Sequence, residues 1–166
     1  MTGPEALGID IGGVIIDMVR EERGAGSDAF LSASPVDGAF DAIARLAARR
    51  FHDRIWLVSR CDAGDEPAIR QWLARQDFFP STGVASDRVR FCRERHQKAP
   101  ICRQLGITHF IDDRLEVLGH MIGTVPHLYL LRSRAADHER FPQFLPHVRF
   151  TSRWSEVLNA LLDSPA

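Results

Sequence analysis

Short apolar runs alternate with amphipathic segments along most of the chain. The apolar runs predict strands at Ala6–Ile11, Ile55–Val58, Val89–Cys92, Thr108–Ile111, His127–Leu131 and Val148–Thr151. Apolar residues at three- and four-residue spacing predict helices at Pro35–Arg50, Glu66–Gln76, Lys98–Leu105, Leu115–Met121 and Trp154–Leu162. Polar, glycine-containing or proline-containing segments predict loops at Arg20–Ser34, Phe78–Gly83 and Arg132–Pro146.

This alternation predicts an α/β fold, a three-layer Rossmann-like domain with a mainly parallel sheet and helices on both faces. A chain of 166 residues suits a single domain spanning residues 1–166. Ligands of such sheets bind beyond the carboxyl ends of the strands, so the residues that follow each strand are the first candidates for function.

Composition narrows the class of protein. The net charge of −1 gives no overall basic field for nucleic acid, and the arginines between Arg88 and Arg95 fit a solvated face better than a binding site. No apolar run reaches membrane-spanning length, and the first residues lack the features of a secretory signal. The three cysteines, Cys61, Cys92 and Cys102, are too widely spaced to indicate a disulfide framework. We therefore expect a cytoplasmic protein with reduced thiols and no membrane partner.

Three predicted strands end in polar residues that can react or bind ions. Asp10 lies at the end of the first predicted strand, just before Gly12 and Gly13. A carboxylate at this position can attack a phosphorus atom or bind Mg²⁺, and the glycines let backbone amides approach an anion. Ser59 ends the second strand, where its hydroxyl can donate to a phosphate oxygen.

Lys98 and the pair Asp112–Asp113 add opposite charges to this set. Lys98 opens a predicted helix, where its charge opposes the helix dipole unless an anion lies between them. The adjacent carboxylates of Asp112 and Asp113 repel each other unless a cation offsets them, and a hard dication is their natural partner.

The order of these residues resembles the four sequential motifs of the haloacid dehalogenase (HAD) superfamily. The matching segments are Leu7-Gly8-Ile9-Asp10, Trp56-Leu57-Val58-Ser59, Lys98, and Phe110-Ile111-Asp112-Asp113. The resemblance covers about Leu7 to Leu131, which is most of the chain.

The resemblance implies a Mg²⁺-dependent phosphohydrolase that works through an aspartyl-phosphate on Asp10. It implies that Ser59 and Lys98 bind the phosphoryl group, with Gly12, Gly13 and Arg60 as further candidate phosphate ligands. The implied metal ligands are Asp10, the backbone carbonyl of Gly12, Asp112 and Asp113.

The chain departs from the HAD pattern at Gly12. HAD phosphatases usually carry a second Asp there, which protonates the leaving group and then activates water. General acid–base catalysis contributes roughly 10²–10⁴-fold in rate, so its loss should weaken hydrolysis of poor leaving groups. Val14 also replaces the usual Thr or Ser. Asp17 is the nearest other carboxylate in sequence, but only a tight flap would bring it back. The alternative is therefore a catalytically weak or inactive HAD-fold protein that binds phosphate or a protein partner.

Little sequence is left for the cap domain that many HAD enzymes use to choose small substrates. Any cap is small, and Arg20–Ser34 is the candidate cap or flap loop. An open site suits a macromolecular phosphorylated substrate, or a cap supplied by a second subunit. Gly8–Gly13 also resembles the phosphate loop of actin-like sugar kinases, but those proteins need two such domains and a hydroxyl residue where this chain has Val14.

Overall fold

The computed structural model describes residues 3–18 and 27–163 of the chain. Its strands are β1 (Leu7–Ile9), β2 (Ile55–Arg60), β3 (Val89–Cys92), β4 (His109–Asp112), β5 (His127–Leu131) and β6 (Arg149–Thr151). Its α-helices are α1 (Ser27–Ser32), α2 (Ala39–Leu46), α3 (Glu66–Arg75), α4 (Phe78–Thr82), α5 (Lys98–Leu105), α6 (Leu115–Met121), α7 (Ala135–Arg140) and α8 (Trp154–Asp163). A π-helical turn (Ala47–Phe51) extends α2, and 3₁₀ turns lie at Arg95–Gln97 and Pro142–His147.

Within the described residues the strands form one parallel sheet in the order β3-β2-β1-β4-β5-β6. Ile9 of β1 is in register with Leu57 of β2 on one side and Ile111 of β4 on the other. The carboxyl ends of these three strands therefore lie side by side, as the predicted parallel α/β sheet requires.

Side chains alternate between the two faces of the sheet and bury both. Ile9, Leu57 and Ile111 pack in one cluster with the buried faces of α2, α3 and α8, which contribute Ile43, Trp72 and Trp154. Val58, Phe110 and Leu130 point to the other face and pack with α5 and α6. Each fully buried side chain of this size stabilises the fold by about 1.5–3 kcal/mol. The three-layer architecture is thus confirmed, and no helix in this part of the chain is long and apolar enough to cross a membrane.

The predicted loop at Phe78–Gly83 is wrong, because this segment forms α4. Phe78 is fully buried and meets the ring of Phe40 edge-on, with 5.2 Å between ring centroids. Pro80 lies in the first turn, where its missing N–H would have had no partner in the helix. The aromatic contact therefore holds a helix that the local sequence does not favour.

The predicted long loop at Arg132–Pro146 is also wrong. It contains α7 and the 3₁₀ turn at Pro142–His147. The buried Asp137 of α7 forms an ion pair with Arg114, and the ring of Phe144 packs against Gly119. Short polar helices are marginal alone, so these contacts with distant residues determine their formation.

The Arg20–Ser34 segment is only partly described. Residues 20–26 lie outside the described residues, and Ser27–Ser32 forms α1 rather than the predicted loop. The indole Nε1 of Trp72 donates to the carbonyl oxygen of Ala33 at 2.9 Å, which fixes the end of this segment against α3. A role of residues 20–34 as a small cap or flap stays a prediction.

Candidate active site

Three carboxylates and one ammonium group meet beyond the ends of β1 and β4. Asp10 follows β1, Asp112 ends β4, Asp113 comes next, and Lys98 is the first residue of α5. The Lys98 Nζ lies 2.9 Å from Asp10 Oδ1 and 2.8 Å from Asp112 Oδ2. Lys98 is only 2% exposed and Asp112 is completely buried. The fold therefore brings together four of the residues that the sequence singles out.

Burial and crowding change the acidity of this cluster. Burial raises the pKa of Asp10 to about 6, helped by the charge of Asp112 and opposed by Lys98. Burial and the charges of Asp10 and Asp112 hold the pKa of Asp113 well above its usual range. Burial alone would lower the pKa of Lys98, but the two carboxylates overcome this and raise it. Lys98 therefore stays protonated, and its single positive charge does not balance the three carboxylates.

The donor set fits a hard divalent cation. Asp10, Asp112 and Asp113 each offer an oxygen, and these oxygens all lie within 4.8 Å of one another. When ionised, the three carboxylates exceed the single ammonium of Lys98 by two negative charges, which one Mg²⁺ would balance. Carboxylate oxygens are the ligands that Mg²⁺ prefers, so these three residues can hold it.

The loop after Asp10 is a tight turn built on one carbonyl. The amides of Val14, Ile15 and Ile16 all donate to the carbonyl oxygen of Ile11, at 2.8–3.2 Å. The indole Nε1 of Trp154 donates to the carbonyl oxygen of Val14 at 2.8 Å and ties the turn to α8. This anchoring holds the backbone next to Asp10 in place.

The two glycine amides of this turn differ in their availability to an anion. The N–H of Gly13 donates to the carbonyl oxygen of Ile16 at 2.8 Å. In this conformation the turn itself uses the amide of Gly13, and the phosphate role of Gly13 stays a prediction. The N–H of Gly12 makes no hydrogen bond within residues 3–18 and 27–163, and its phosphate role stays a prediction.

Gly13 is instead required by its surroundings. Its φ of +83° lies in the left-handed region, which side chains disfavour. A Cβ at Gly13 would also overlap the carboxylate of Asp113. The absence of a side chain at residue 13 therefore lets Asp113 take its place beside the turn.

Gly12, unlike Gly13, is not crowded by the described residues around it. Among residues 3–18 and 27–163, a Cβ built on Gly12 meets only the Cγ of Met18, at a normal contact distance of 3.7 Å. Its φ lies outside the left-handed region. The described residues therefore leave room for a side chain at the position where HAD phosphatases usually carry their second Asp. Asp17 is held elsewhere, with Oδ1 3.2 Å from Arg132 Nη2.

Ser59 and Arg60 lie at the end of β2, beside β1. Ser59 is buried, and its carbonyl oxygen accepts a weak hydrogen bond from Cys92 Sγ at 3.8 Å. The exposed Arg60 donates from Nε to the carbonyl oxygen of Arg93 at 3.1 Å and from Nη2 to Asp62 at 3.4 Å. Their roles as phosphate ligands stay predictions.

Sequence reasoning missed the pair formed by Arg114 and Asp137. The backbone N–H of Arg114 donates to Asp112 Oδ1 at 3.0 Å, while its Nε donates to Asp137 Oδ2 at 3.1 Å. Asp112 is therefore held on both oxygens, by Lys98 and by Arg114. No local pattern reveals this contact, because Asp137 lies 23 residues further along in a segment that reads as loop.

No protein-family model matches the sequence, and no curated protein matches it. Solved structures do match its fold. A D,D-heptose 1,7-bisphosphate phosphatase from B. bronchiseptica, complexed with magnesium and phosphate, has a TM-score of 0.68 and 16% identity, over 96% of this chain and 98% of that one. A HAD family hydrolase from Deinococcus radiodurans R1, with bound phosphate and sodium, has a TM-score of 0.62 and 14% identity, over the full length of both chains.

A haloacid dehalogenase-like family hydrolase from Xanthomonas campestris is similar in the same way. Its TM-score is 0.65 at 12% identity, over 97% of this chain and 96% of that one. At these identities the similarity establishes architecture, and it confirms at that level the resemblance drawn from the four motifs. The chain has the fold of the haloacid dehalogenase-like hydrolases.

Proposed function

We propose that this chain is a Mg²⁺-dependent phosphohydrolase that forms an aspartyl-phosphate on Asp10. The observation that carries the proposal is the position of Lys98 Nζ, which lies 2.9 Å from Asp10 and 2.8 Å from Asp112 at the edge of the sheet where ligands bind. The magnesium and phosphate bound in a structure of similar fold support this chemistry.

Each residue has a role that follows from its place. Asp10 is the nucleophile, since it follows the central strand and its side chain is 10% exposed. Lys98 fixes the orientation of that carboxylate and offsets the charge of an incoming phosphate. Ser59 donates its hydroxyl to a phosphoryl oxygen from the neighbouring strand. Asp10, Asp112 and Asp113 would hold Mg²⁺, which neutralises phosphate charge in the transition state.

Hydrolysis of an aryl phosphate tests this proposal. We expect Mg²⁺-dependent release of phenolate from 4-nitrophenyl phosphate, and loss of that activity in Asp10→Asn. Asp41→Asn is the matched control, because Asp41 is exposed and forms its ion pair with the exposed Arg45, far from the candidate site in sequence. Equal rates for the wild type and Asp10→Asn across a panel of phosphate esters would exclude Asp10 as the nucleophile.

Gly12 supports a second candidate function, a HAD-fold protein that binds phosphate or a protein partner without efficient turnover. The position offers no acid or base, although the space beside Met18 could hold one. Phosphate and Mg²⁺ binding, measured by calorimetry, together with no turnover above Asp10→Asn, would favour this function. Gly12→Asp distinguishes the two, since it should raise turnover if only that group is missing.

The substrate of either function is phosphorylated. The small size of the segment at residues 20–34 supports an open site that admits a macromolecular phosphate, or a site that a second subunit completes. Activity on a panel containing small phosphate esters, a phosphopeptide and a 5′-phosphorylated oligonucleotide would distinguish these substrates.

A further inference from the structure

The two edges of the sheet differ in how they are protected. A strand at the edge of a sheet presents backbone N–H and C=O groups that can pair with another chain, and proteins usually block such edges. In the described residues the edge strands are β3 and β6. Among these residues a side chain blocks the edge of β3, and none blocks the edge of β6.

The edge of β3 is closed by Arg90. The amide of Leu57 donates to the carbonyl oxygen of Arg88, so the carbonyl of Val89, one residue further on, faces away from β2. Arg90 Nη1 donates to this carbonyl oxygen at 3.0 Å and to that of Asp87 at 2.9 Å. The guanidinium therefore occupies acceptors that a further strand would need, and its charge repels a second copy of the same edge.

The edge of β6 has no such block in the described part of the chain. The amide of Arg132 donates to the carbonyl oxygen of Thr151, so the N–H and C=O of Phe150 face the outer side of β6. Neither group forms a hydrogen bond with a residue in the described ranges. Because β6 has three residues, a strand added at this edge would pair chiefly with Phe150.

The side chain of Phe150 adds an apolar contact surface at the same point. Its ring is 54% exposed, which sets it apart from the other large hydrophobic side chains of the described residues. One flank of the ring meets the imidazole of His138 edge-on, with 5.6 Å between ring centroids. A single exposed ring is ordinary on a protein surface, but this ring belongs to the residue whose backbone is available for pairing.

Charged residues on the other face of β6 complement a second copy of the same surface. A groove between β6 and α8 is lined by Arg149 from the strand and by Glu156 and Asp163 from the helix. No ion pair within residues 3–18 and 27–163 includes Arg149. Glu156 lies at the opposite end of the strand from Arg149, since its Oε2 accepts a hydrogen bond from the N–H of Ser152 at 2.7 Å. An antiparallel copy of this edge would bring the positive end against the negative one.

We propose that β6 pairs with β6 of a second copy of this chain, antiparallel about a two-fold axis at Phe150. In such a pair the two Phe150 residues exchange both backbone hydrogen bonds, and their rings lie side by side on one face. Arg149 then lies opposite Thr151 of the partner subunit and next to Glu156 of the partner subunit. The axis repeats each contact, and the two six-stranded sheets become continuous.

Sedimentation equilibrium of the full chain tests this contact. We expect a dimer for the wild type and for Asp10→Asn, since Asp10 takes no part in it and the dimer does not depend on the proposed function. Phe150→Lys places two like charges at the axis, and Arg149→Glu sets a carboxylate against Glu156 of the partner subunit. Both should be monomers at concentrations where the wild type is dimeric. Arg75→Glu, a charge reversal at an exposed position of α3, is the control and should remain dimeric.

A charge exchange separates a lost contact from a damaged fold. Glu156→Arg alone should also be a monomer, whereas Arg149→Glu combined with Glu156→Arg restores opposite charges across the axis and should recover the dimer. Circular dichroism checks that each variant is folded. A monomeric wild type, or a dimer that survives both Phe150→Lys and Arg149→Glu, would overturn the inference. A folded double variant that stays monomeric would contradict the pairing of Arg149 with Glu156.

An introduced disulfide tests the register. Two residues that exchange hydrogen bonds across an antiparallel pair have Cα atoms about 5.5 Å apart, which a disulfide can span. The three natural cysteines are buried, so an exposed thiol added at the surface should react separately from them. We expect Phe150→Cys to form a covalent dimer at least tenfold faster than Asp41→Cys, which adds a thiol at an exposed position of α2.

The neighbouring position distinguishes this register from other pairings. Arg149→Cys should cross-link as slowly as Asp41→Cys, because antiparallel pairing places the two copies of residue 149 on opposite sides of the axis. Equal rates for Phe150→Cys and Asp41→Cys would overturn the inference. Faster cross-linking of Arg149→Cys than of Phe150→Cys would overturn the axis at Phe150.

Discussion

Gly13 lies with its backbone against the carboxylate of Asp113, where a Cβ at residue 13 would overlap the carboxylate oxygen. The turn after the first strand and the end of the fourth strand thus fit together through the missing side chain of one residue. The acidic cluster can form only while that space stays open, so the shape of the turn and the placement of a candidate metal ligand depend on each other.

Gly13→Ala should therefore weaken both stability and metal binding. The left-handed φ of +83° and the overlap with Asp113 act together. We expect a loss of about 1–3 kcal/mol in the free energy of unfolding, measured in urea, and weaker Mg²⁺ binding by calorimetry. Gly12→Ala is the matched control, since its Cβ makes only an ordinary contact with Met18. Equal effects of the two substitutions would contradict this account.

Lys98→Met should destabilise the protein strongly. It leaves the buried carboxylates of Asp10 and Asp112 without their cation, and removing one partner of a buried ion pair typically costs about 3–5 kcal/mol. The loss should be smaller when Lys98→Met is made in the Asp10→Asn background, because one uncompensated charge is then gone. A double-mutant cycle of urea unfolding curves measures this coupling between Lys98 and Asp10. If the losses in the free energy of unfolding of the two single variants simply add in the double variant, the two residues are not coupled.

Asp137→Asn should disturb the candidate metal site, although Asp137 is not one of its three carboxylates. Asp137 holds Arg114, whose backbone N–H holds Asp112. We expect a loss of about 1–3 kcal/mol in stability and weaker Mg²⁺ binding, because the partly buried pair keeps one oxygen of Asp112 in place. Asp41→Asn breaks an exposed pair with Arg45 and should change stability by less than about 0.5 kcal/mol. Unchanged Mg²⁺ affinity in Asp137→Asn would limit Asp137 to a structural role.

His109 should make stability depend on pH. Burial, with smaller contributions from His127 and Arg50, lowers the pKa of His109 from 6.5 to about 4. Between these values the unfolded chain takes up a proton that the folded chain does not, so stability falls as the pH falls. Relative to His109→Gln, the wild type should lose about 2–3 kcal/mol between pH 7 and pH 4.

Urea unfolding of both proteins across this range measures the difference. The comparison with the variant cancels the titration of other groups. Substitution of the exposed His147 by Gln is the control and should give a curve parallel to that of the wild type. A constant difference between the wild type and His109→Gln would show that His109 does not cause the pH dependence.

The parts of the fold that follow from local patterns were predictable. Strand ends carrying Asp10, Ser59 and Asp112 could be identified because buried parallel strands are nearly uniform apolar runs, so a polar residue at their end is conspicuous. Lys98 was identifiable because a lysine that opens a helix opposes the helix dipole.

The parts that depend on distant residues were not predictable. Helix α7 is held by the pair of Arg114 and Asp137, and helix α4 by the rings of Phe40 and Phe78, so neither has a strong local pattern. The hydrogen bond from the Gly13 amide to the carbonyl oxygen of Ile16 was also not visible in the sequence, although the two residues are near neighbours, because it exists only in the folded turn. The pair of Asp17 and Arg132 joins residues 115 positions apart, beyond any local rule.

The position of β1 in the middle of the sheet determines the order in which the candidate site is assembled during translation. Residues of β1 are translated first, but their neighbours in β2 and β4 come about 50 and 100 residues later. Asp10 and Lys98 are 88 residues apart, so a ribosome releases the candidate nucleophile Asp10 long before it supplies Lys98 and the carboxylates of Asp112 and Asp113. A truncated chain that ends before β4 lacks Asp112 and Asp113, so the acidic cluster can form only after β4 has been synthesised.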